Sequence, residues 1–373
     1  MFQFQFQPHP RTRPHARLRA TTGKALLAAA AALLASAGAM AQSSVTLYGQ
    51  VDTYVGSSRA AGGQRAWQVG AGGMQTSYWG IKGTEDLGNG LKTIFDLNGF
   101  YRADQGAMGR FTGDTMFSRS AFVGLQSDKA GTIRLGRNTT PYFISTILFN
   151  PLVDSYVFAP SIFHTYFTAR SGAVYDPGII GDSGWSNSLV YSTPNFGGLT
   201  ANFIYAFGEQ AGDNGKNKWG GNVLYFNGPF AATVAFQQVK FNSVPGDVTS
   251  PAALAGFDKQ NAVQVGLSYD FKVVKLFAQG QYIKSNVNNT IGDIKHTNGQ
   301  LGASVPIGAG SVLVSYAYDK TKNNVGDFNR NTVGIAYDYN LSKRTDLYAA
   351  YFYDKLSGQS HGDSLGVGIR HKF

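Results

Sequence analysis

The sequence predicts an all-β protein, a 16-stranded antiparallel transmembrane β-barrel whose long third loop is folded into the lumen. Three observations predict this class. Short segments of alternating apolar and polar residues recur along the chain, short turns alternate with longer loops, and no segment after residue 41 is long and apolar enough for a membrane helix. Every backbone polar group needs an internal partner in lipid, so a membrane protein without such a helix must be a closed barrel.

The first 41 residues predict a secretory signal peptide. Five basic side chains precede an Ala-rich apolar run at 25–39, and small residues then predict cleavage between Ala41 and Gln42. The alternative is a membrane anchor, but the run is shorter than the roughly 18 to 20 residues that span a bilayer. Removing 1–41 takes away five basic and no acidic side chains, so the formal net charge falls from +10 to +5. The smaller excess weakens the case for nucleic-acid binding.

Residues 42–373 are predicted to form one barrel domain. The chain has 47 Gly, 20 Tyr and 26 Phe but only 12 Pro, a composition typical of strands, turns and aromatic girdles. It has no Cys, although the signal peptide directs it to a compartment where disulfides persist. The barrel must therefore be stable without covalent cross-links.

The strands are predicted from period-two alternation. In the first strand Val45, Leu47, Val51 and Val55 share one face, and polar residues share the other. An even number of strands places both ends of the chain on the periplasmic side. The sixteen predicted strands are 44–57, 76–86, 91–102, 117–126, 131–138, 186–194, 199–208, 217–227, 229–241, 261–270, 272–285, 296–306, 310–320, 329–340, 344–354 and 362–373.

The connections alternate in length, as short periplasmic turns and longer extracellular loops do in barrels of this kind. A soluble all-β sandwich is the alternative, and it would not be expected to segregate its loops so regularly. The predicted short turns are 86–90, 127–130, 195–198, 227–228, 270–271, 307–309 and 340–343. The predicted longer loops are 58–75, 103–116, 139–185, 209–216, 242–260, 286–295, 321–328 and 355–361.

The loop at 139–185 is far longer than an ordinary structureless connection. It is also rich in apolar and aromatic residues between Pro141 and Phe158, which would be poorly placed in water. We therefore expect this third loop to fold back into the barrel, where a lumen enclosed by sixteen strands has room for it.

Several motifs resemble the trimeric general porins of Gram-negative bacteria, especially the β-proteobacterial branch (Burkholderia, Bordetella and Neisseria). Each motif is weak alone, but their order and spacing over nearly the whole mature chain are specific. They lie at 44–49, 83–91, 121–125, 135–137, 191–199, 342–345 and 368–373. The resemblance implies a homotrimeric diffusion channel for small hydrophilic solutes and ions in the outer membrane, in contact with lipid and lipopolysaccharide. A substrate-specific channel or an adhesin remains an alternative.

The final residue, Phe373, shares one strand face with Leu365, Val367 and Ile369. This position predicts a place in the periplasmic aromatic girdle. The resemblance implies in addition that the terminal aromatic is an assembly signal, recognised by the machinery that inserts barrels into the outer membrane. The alternative is an ordinary last residue of a packed strand, since aromatics are common in strands.

The resemblance also implies a constriction where the third loop faces a row of basic residues. Family members often carry Arg where Tyr78 stands and Glu near Asn98, so one charge of each sign is missing here. Of the loop acids Asp154, Asp176 and Asp182, the first is the best placed, and a basic wall facing so few acids predicts weak anion preference. The candidate constriction residues are Tyr78, Lys82, Arg119, Arg134 and Arg137, with Asp154 opposite.

A barrel enzyme is the main alternative of another class. None of the four histidines outside the signal peptide sits in a recognisable nucleophile or metal spacing such as G-x-S-x-G or H-E-x-x-H, so no catalytic residue, cofactor site or metal site is predicted. For residues 212–215 a simple turn is a better interpretation than a Ca²⁺-binding loop, because the rest of an EF-hand loop is missing. The histidines outside the signal peptide are interpreted as surface or girdle residues, and they are His164, His296, His361 and His371.

Overall fold

A computed structural model describes residues 44–166, 179, 182–209, 211, 216–240 and 256–373. The predicted signal peptide with its cleavage site at Ala41 and Gln42, the loop acid Asp176 and the turn at 212–215 lie outside these residues. Of the helices in the described ranges, none has the length and apolar character needed to cross a membrane.

In the described part of the chain eighteen strands form one antiparallel sheet. They are β1 (Ser44–Arg59), β2 (Ala66–Ala71), β3 (Tyr78–Gly88), β4 (Leu91–Arg102), β5 (Ala107–Met108), β6 (Ser120–Ser127), β7 (Gly131–Thr139), β8 (Gly184–Ser192), β9 (Leu199–Ala206), β10 (Lys218–Asn227), β11 (Phe230–Lys240), β12 (Phe257–Asp270), β13 (Lys275–Val287), β14 (Ile294–Ile307), β15 (Gly310–Asn323), β16 (Gly326–Asn340), β17 (Thr345–Leu356) and β18 (Gly362–Lys372).

Sixteen of these strands close into a cylinder. One edge of β1 pairs with β18, and the other edge pairs with β3 over Ser44–Gln50. Phe373 continues the closing ladder, because its N–H donates to the Gly49 carbonyl at 3.0 Å and its carbonyl accepts from the Gly49 N–H at 3.1 Å. The predicted closed 16-stranded antiparallel barrel is confirmed, with its first and last strands side by side.

The structure departs from the predicted loops at three places. The loop predicted at 58–75 contains β2, which pairs with the far half of β1, and the loop at 103–116 contains the two-residue β5. The loop predicted at 321–328 is mostly strand, since β15 and β16 extend until only residues 324–325 connect them. The ends of β15 and β16 are polar, so they lack the apolar alternation from which strands are predicted.

The two faces of the barrel wall differ in polarity. Val45, Leu47 and Val55 are each more than 60% exposed, whereas Asp52 and Tyr54 on the alternate positions of β1 are buried. We call these sides the apolar face and the polar face, and the same alternation recurs around the cylinder. Because the apolar side chains point away from the enclosed space, the apolar face is the one available to lipid.

The loop predicted at 139–185 is not structureless. Thr140 caps the helix α1 (Pro141–Leu148) by accepting a hydrogen bond from the Phe143 N–H at 3.2 Å, and a Pro at the first helical turn suits this start. A second helix, α2 (Pro160–Tyr166), follows after a turn region. We call residues 140–166 the third-loop segment.

The third-loop segment packs on the polar face of the wall. Ser145 Oγ lies 2.9 Å from Thr233 Oγ1 on β11, and the Thr146 hydroxyl donates to Gln264 on β12 at 3.1 Å. Farther along, α2 contacts β14, β15 and β16. The segment therefore follows the wall from β9 to β16, and its apolar side chains are withdrawn from water.

Glycines on the wall make room for this packing. A Cβ at Gly334 on β16 would lie 2.3 Å from the Phe158 carbonyl oxygen, and one at Gly366 on β18 would lie 2.9 Å from the Phe158 ring. On β14 a Cβ at Gly302 would approach Pro151 to 2.7 Å. Only glycine allows the segment to come this close to the sheet at these positions.

Candidate functional site

A ladder of aromatic and basic side chains lies on the polar face of β1 and β3. The rings of Tyr48 and Tyr78 meet edge to face, with centroids 6.0 Å apart. Lys82 Nζ is 4.6 Å from the centroid of the Tyr48 ring, and Arg119 Cζ is 4.3 Å from that of Tyr78. The structure thus brings three of the sequence-predicted residues, Tyr78, Lys82 and Arg119, together, and the ring faces fix the position of both cations.

Arg134 extends the basic wall onto β7. Its guanidinium lies over the ring of Phe122, with Cζ 5.3 Å from the centroid. The neighbours of Arg134 on β7, Ile133 and Leu135, are about half exposed on the apolar face, so strand alternation places Arg134 on the polar face as expected.

Asp96 on β4 is a charged residue of this site that the sequence reasoning missed. It is the cross-strand partner of Lys82 and of Phe122. Its carboxylate accepts hydrogen bonds from the Tyr48 hydroxyl at 2.7 Å and from Asn98 Nδ2 at 3.0 and 3.1 Å. The signal was present in the sequence, since Asp96 alternates with Asn98 along β4.

The alternation of side chains along a strand does not explain the position of Arg119. The strand β6 begins at Ser120 and not at the predicted 117, so Arg119 lies in the connection that enters the strand. Its backbone N–H donates to the Asn98 carbonyl at 3.2 Å, and its side chain turns onto Tyr78. Its contact with Tyr78, and not alternation, places this cation on the polar face.

Asp154 is the acid that the third-loop segment presents beside this wall. Its Oδ1 accepts a hydrogen bond from Gln75 Nε2 at 2.7 Å, and the Gln75 Oε1 in turn accepts from Arg370 Nη1 at 2.8 Å. Burial raises the pKa of Asp154 above its usual range, and the Gln75 hydrogen bond and the charges of Arg119 and Arg370 only partly offset this. Arg370 is a second charged neighbour that the sequence reasoning did not single out.

This raised pKa gives an expected pH dependence. As the pH falls from about 7 to about 4.5, Asp154 should be protonated before an ordinary Asp, and the basic wall then loses its opposing charge. We expect the anion preference of the channel, measured as a bilayer reversal potential, to increase over this range. Asp154→Asn should show the increased preference already at neutral pH and respond less to acid. An equal pH response in this variant would contradict the assignment.

Arg137 is buried at the root of the third loop. Its Nη2 bonds to Asp182 at 2.9 Å, Nε donates to the Ser118 carbonyl at 2.7 Å and Nη1 donates to Ser186 at 3.0 Å. Asp182 also binds Arg110 at 2.6 Å. Burial acts to raise the pKa of Asp182, but the two arginines outweigh it and hold that pKa below its usual range. These contacts attach the third loop to the barrel wall, and the Arg137 side chain is buried among them.

Two of the four histidines were interpreted wrongly as surface or girdle residues. His164 on α2 and His296 on β14 are buried. His164 Nδ1 accepts from Asn298 at 2.7 Å, and its Nε2 lies 2.9 Å from Thr332 Oγ1. Burial, and to a smaller extent the nearby Arg330 and His296, lower the pKa of His164 well below its usual range. His164 is therefore a neutral side chain that links the third-loop segment to the wall through hydrogen bonds. Sequence alone does not show which strand covers a loop residue.

Comparison with known proteins places the chain among outer-membrane proteins. Residues 27–359 match a family described as Gram-negative porin. Outer membrane porin protein 32 of Delftia acidovorans is 36% identical over 360 residues, which cover 90% of this chain and 95% of that protein. The solved anion-selective porin from Comamonas acidovorans is 32% identical with a TM-score of 0.73, covering 89% and 100% of the two chains.

A solved structure of lower identity has a comparable wall. OmpT of Vibrio cholerae, folded in vitro and in its trimer form, is 15% identical with a TM-score of 0.62. The match covers 89% of this chain and 99% of that one. At this identity the likeness shows the fold alone.

Proposed function

Because this chain belongs to the family of Gram-negative porins, we propose that its barrel is a general diffusion channel that passes small hydrophilic solutes and ions with weak preference for anions. The predicted family and outer-membrane location are confirmed by the same relatives. The members of this family are channels, so the alternative of a barrel enzyme is excluded. The channel acts by giving hydrated solutes a path through about 30 Å of hydrocarbon.

The constriction lies between the third-loop segment and the wall of β1, β3, β4, β6 and β7. The one observation that carries this proposal is the one-sided packing of the segment, since α1 contacts β9 to β12 and α2 contacts β14 to β16. Phe158 of the segment also packs on Tyr54 of β1 and near Gly366 of β18. The wall that these contacts leave uncovered carries Lys82, Arg119 and Arg134. In this arrangement Arg137 anchors the third loop. Tyr78 stands where family members often carry Arg, and its ring supports the Arg119 guanidinium.

The charge balance at this constriction favours a weak preference over a strong one. Three cations on the wall face two acids, Asp96 within the wall and Asp154 on the segment, which leaves one net positive charge. Low-dielectric walls focus even this small excess into the narrow part of the channel. The anion-selective porin of Comamonas acidovorans supports the same sign of preference.

A planar-bilayer measurement tests this function. We expect the refolded protein to give ohmic single-channel steps, and a KCl gradient to give a reversal potential of the sign that denotes chloride preference, because the net charge at the constriction is positive. The preference should weaken as the salt is raised towards about 1 M, where charges are screened within about 3 Å. Clear potassium preference, or the absence of any conductance, would refute the proposal.

Three further proposals concern maturation and assembly. Cleavage after Ala41 releases a barrel that begins at Gln42, as the apolar run and small residues before that site suggest. The barrel assembles as a homotrimer, as the resemblance to the trimeric general porins implies. Phe373 serves as the assembly signal, which its exposed place at the end of the closing ladder supports.

A further inference from the structure

The apolar face carries a cluster of lysines at one end of β11 to β15. This is the end of the barrel opposite Ser44 and Phe373, where the third loop leaves the wall. Each lysine has at least one strand neighbour that is buried on the polar face, so the lysine side chains point outward. The cluster consists of Lys240, Lys259, Lys284, Lys295, Lys320 and Lys322.

Three of these lysines form a row of direct cross-strand neighbours. Lys284 pairs in register with Lys295, and Lys295 pairs with Lys322. Adjacent strands are about 4.8 Å apart, so the row places three lysine backbones side by side over about 10 Å. Like charges directly opposite each other destabilise a sheet, and a bound anion would relieve that repulsion. We call these three residues the lysine row.

The acids near the row compensate it only in part. Asp293 lies 3.1 Å from Lys284, and Asp327 lies 3.3 Å from Lys322 and 3.4 Å from Lys320. Within the described part of the chain, Lys295 at the centre of the row has no acidic partner at ion-pair distance. Among the described residues at this end of the five strands, the six lysines exceed Asp258, Asp293 and Asp327 by three positive charges.

An apolar groove lies beneath the row on the same strands. It has a volume of about 620 Å³ and opens on the apolar face, with Val265, Leu301 and Tyr316 along its sides. Gly280 and Gly299 leave its floor open, because a Cβ at Gly299 would meet nothing within 4 Å and one at Gly280 would meet its nearest atom at 3.8 Å. Gly299 follows Lys295 by four residues, about 13 Å along the strand.

We propose that the lysine row and the groove together bind a phosphate-bearing lipid of the outer leaflet, with the phosphate on the row and an acyl chain in the groove. The cationic cluster complements the anionic headgroup, and the 13 Å offset, estimated at about 3.3 Å per residue, matches the step from a headgroup into the hydrocarbon. A second copy of this chain in a two-fold contact is a poorer occupant, since that contact would place one lysine cluster against another. The site lies outside the channel and does not depend on its selectivity.

Retention of lipid by the purified protein tests this site, with dipalmitoyl phosphatidic acid as the probe and native mass spectrometry as the readout. The triple variant Lys284→Gln, Lys295→Gln, Lys322→Gln should bind at least about tenfold more weakly, because it removes three cations that attract the anionic headgroup. Gly299→Leu should fill the groove without strain and weaken binding about threefold or more. Dipalmitoylglycerol and inorganic phosphate, which each lack one half of the probe, should bind far more weakly.

Matched variants separate this site from general effects. Lys129→Gln, Lys272→Gln, Lys343→Gln removes the same charge from turns at the opposite end, and Ala349→Leu adds a similar bulk to the exposed face of β17. Both should bind the probe like the unaltered protein, and conductance should stay unchanged in all four variants. Equal binding of dipalmitoylglycerol, or equal loss in the control variants, would overturn the proposal. So would loss of the oligomer in Gly299→Leu with unchanged lipid retention, which would assign the groove to a second copy.

Discussion

Replacing residues 141–182 by a short Gly-Ser linker is expected to raise the single-channel conductance about twofold or more and to abolish most of the ion preference. The reason is geometric, since the third-loop segment occupies space on the polar face, and without it the wall cations no longer border a narrow passage. The barrel itself should still close. The ladder between β7 and β8 continues to the pair Thr139 and Gly184, and the linker would turn this pair into an ordinary hairpin.

A disulfide variant provides the control for this deletion. The chain has no cysteine, and Ser145 Oγ lies 2.9 Å from Thr233 Oγ1, so the double variant Ser145→Cys, Thr233→Cys should oxidise to a single cross-link. The oxidised protein should keep the unaltered conductance, because the cross-link holds the segment where it already packs. A conductance that does not rise after the deletion would show that the segment does not narrow the channel. Failure of the cross-link to form would place the segment elsewhere.

The wall of this barrel was predictable because its physical rules are local. Strand alternation follows from the two-residue period of the pleat, and the glycine- and asparagine-rich turns mark where each strand reverses. The wrongly predicted boundaries lie at strand ends, where few apolar residues remain to show the alternation. The strands β15 and β16 continue past their apolar residues through a polar stretch, and hydrogen bonds between neighbouring strands hold them together there.

The candidate site was only partly predictable, for a reason that differs from residue to residue. Lys82 and Arg134 follow from parity, and Asp96 could have been found by the same rule. Arg119 could not, because it lies outside the strand that follows it. Gly334 could not either, since its role depends on the Phe158 carbonyl, which is distant in sequence and close only in the fold.

The sign of the selectivity should follow the wall cations. We expect the triple variant Lys82→Glu, Arg119→Glu, Arg134→Glu to reverse the potential measured in a KCl gradient, with the chloride-to-potassium permeability ratio falling roughly tenfold. The exchange turns one net positive charge at the constriction into five negative ones, counting Asp96 and Asp154 as ionised. Single exchanges should give graded intermediate values, and Arg119→Glu should also remove the cation–ring contact with Tyr78.

The control for this inversion must carry the same change in total charge away from the constriction. Lys129→Glu, Lys272→Glu, Lys343→Glu does so in the turns at the end of the barrel that holds Ser44, where screening over about 10 Å at 0.1 M salt separates charges from a distant constriction. This variant should keep chloride preference. If it reversed the potential as strongly as the wall variant, selectivity would arise from the net charge of the barrel. In that case Lys82, Arg119 and Arg134 would be water-exposed wall residues without a role in selectivity, and the constriction assigned to them would be wrong.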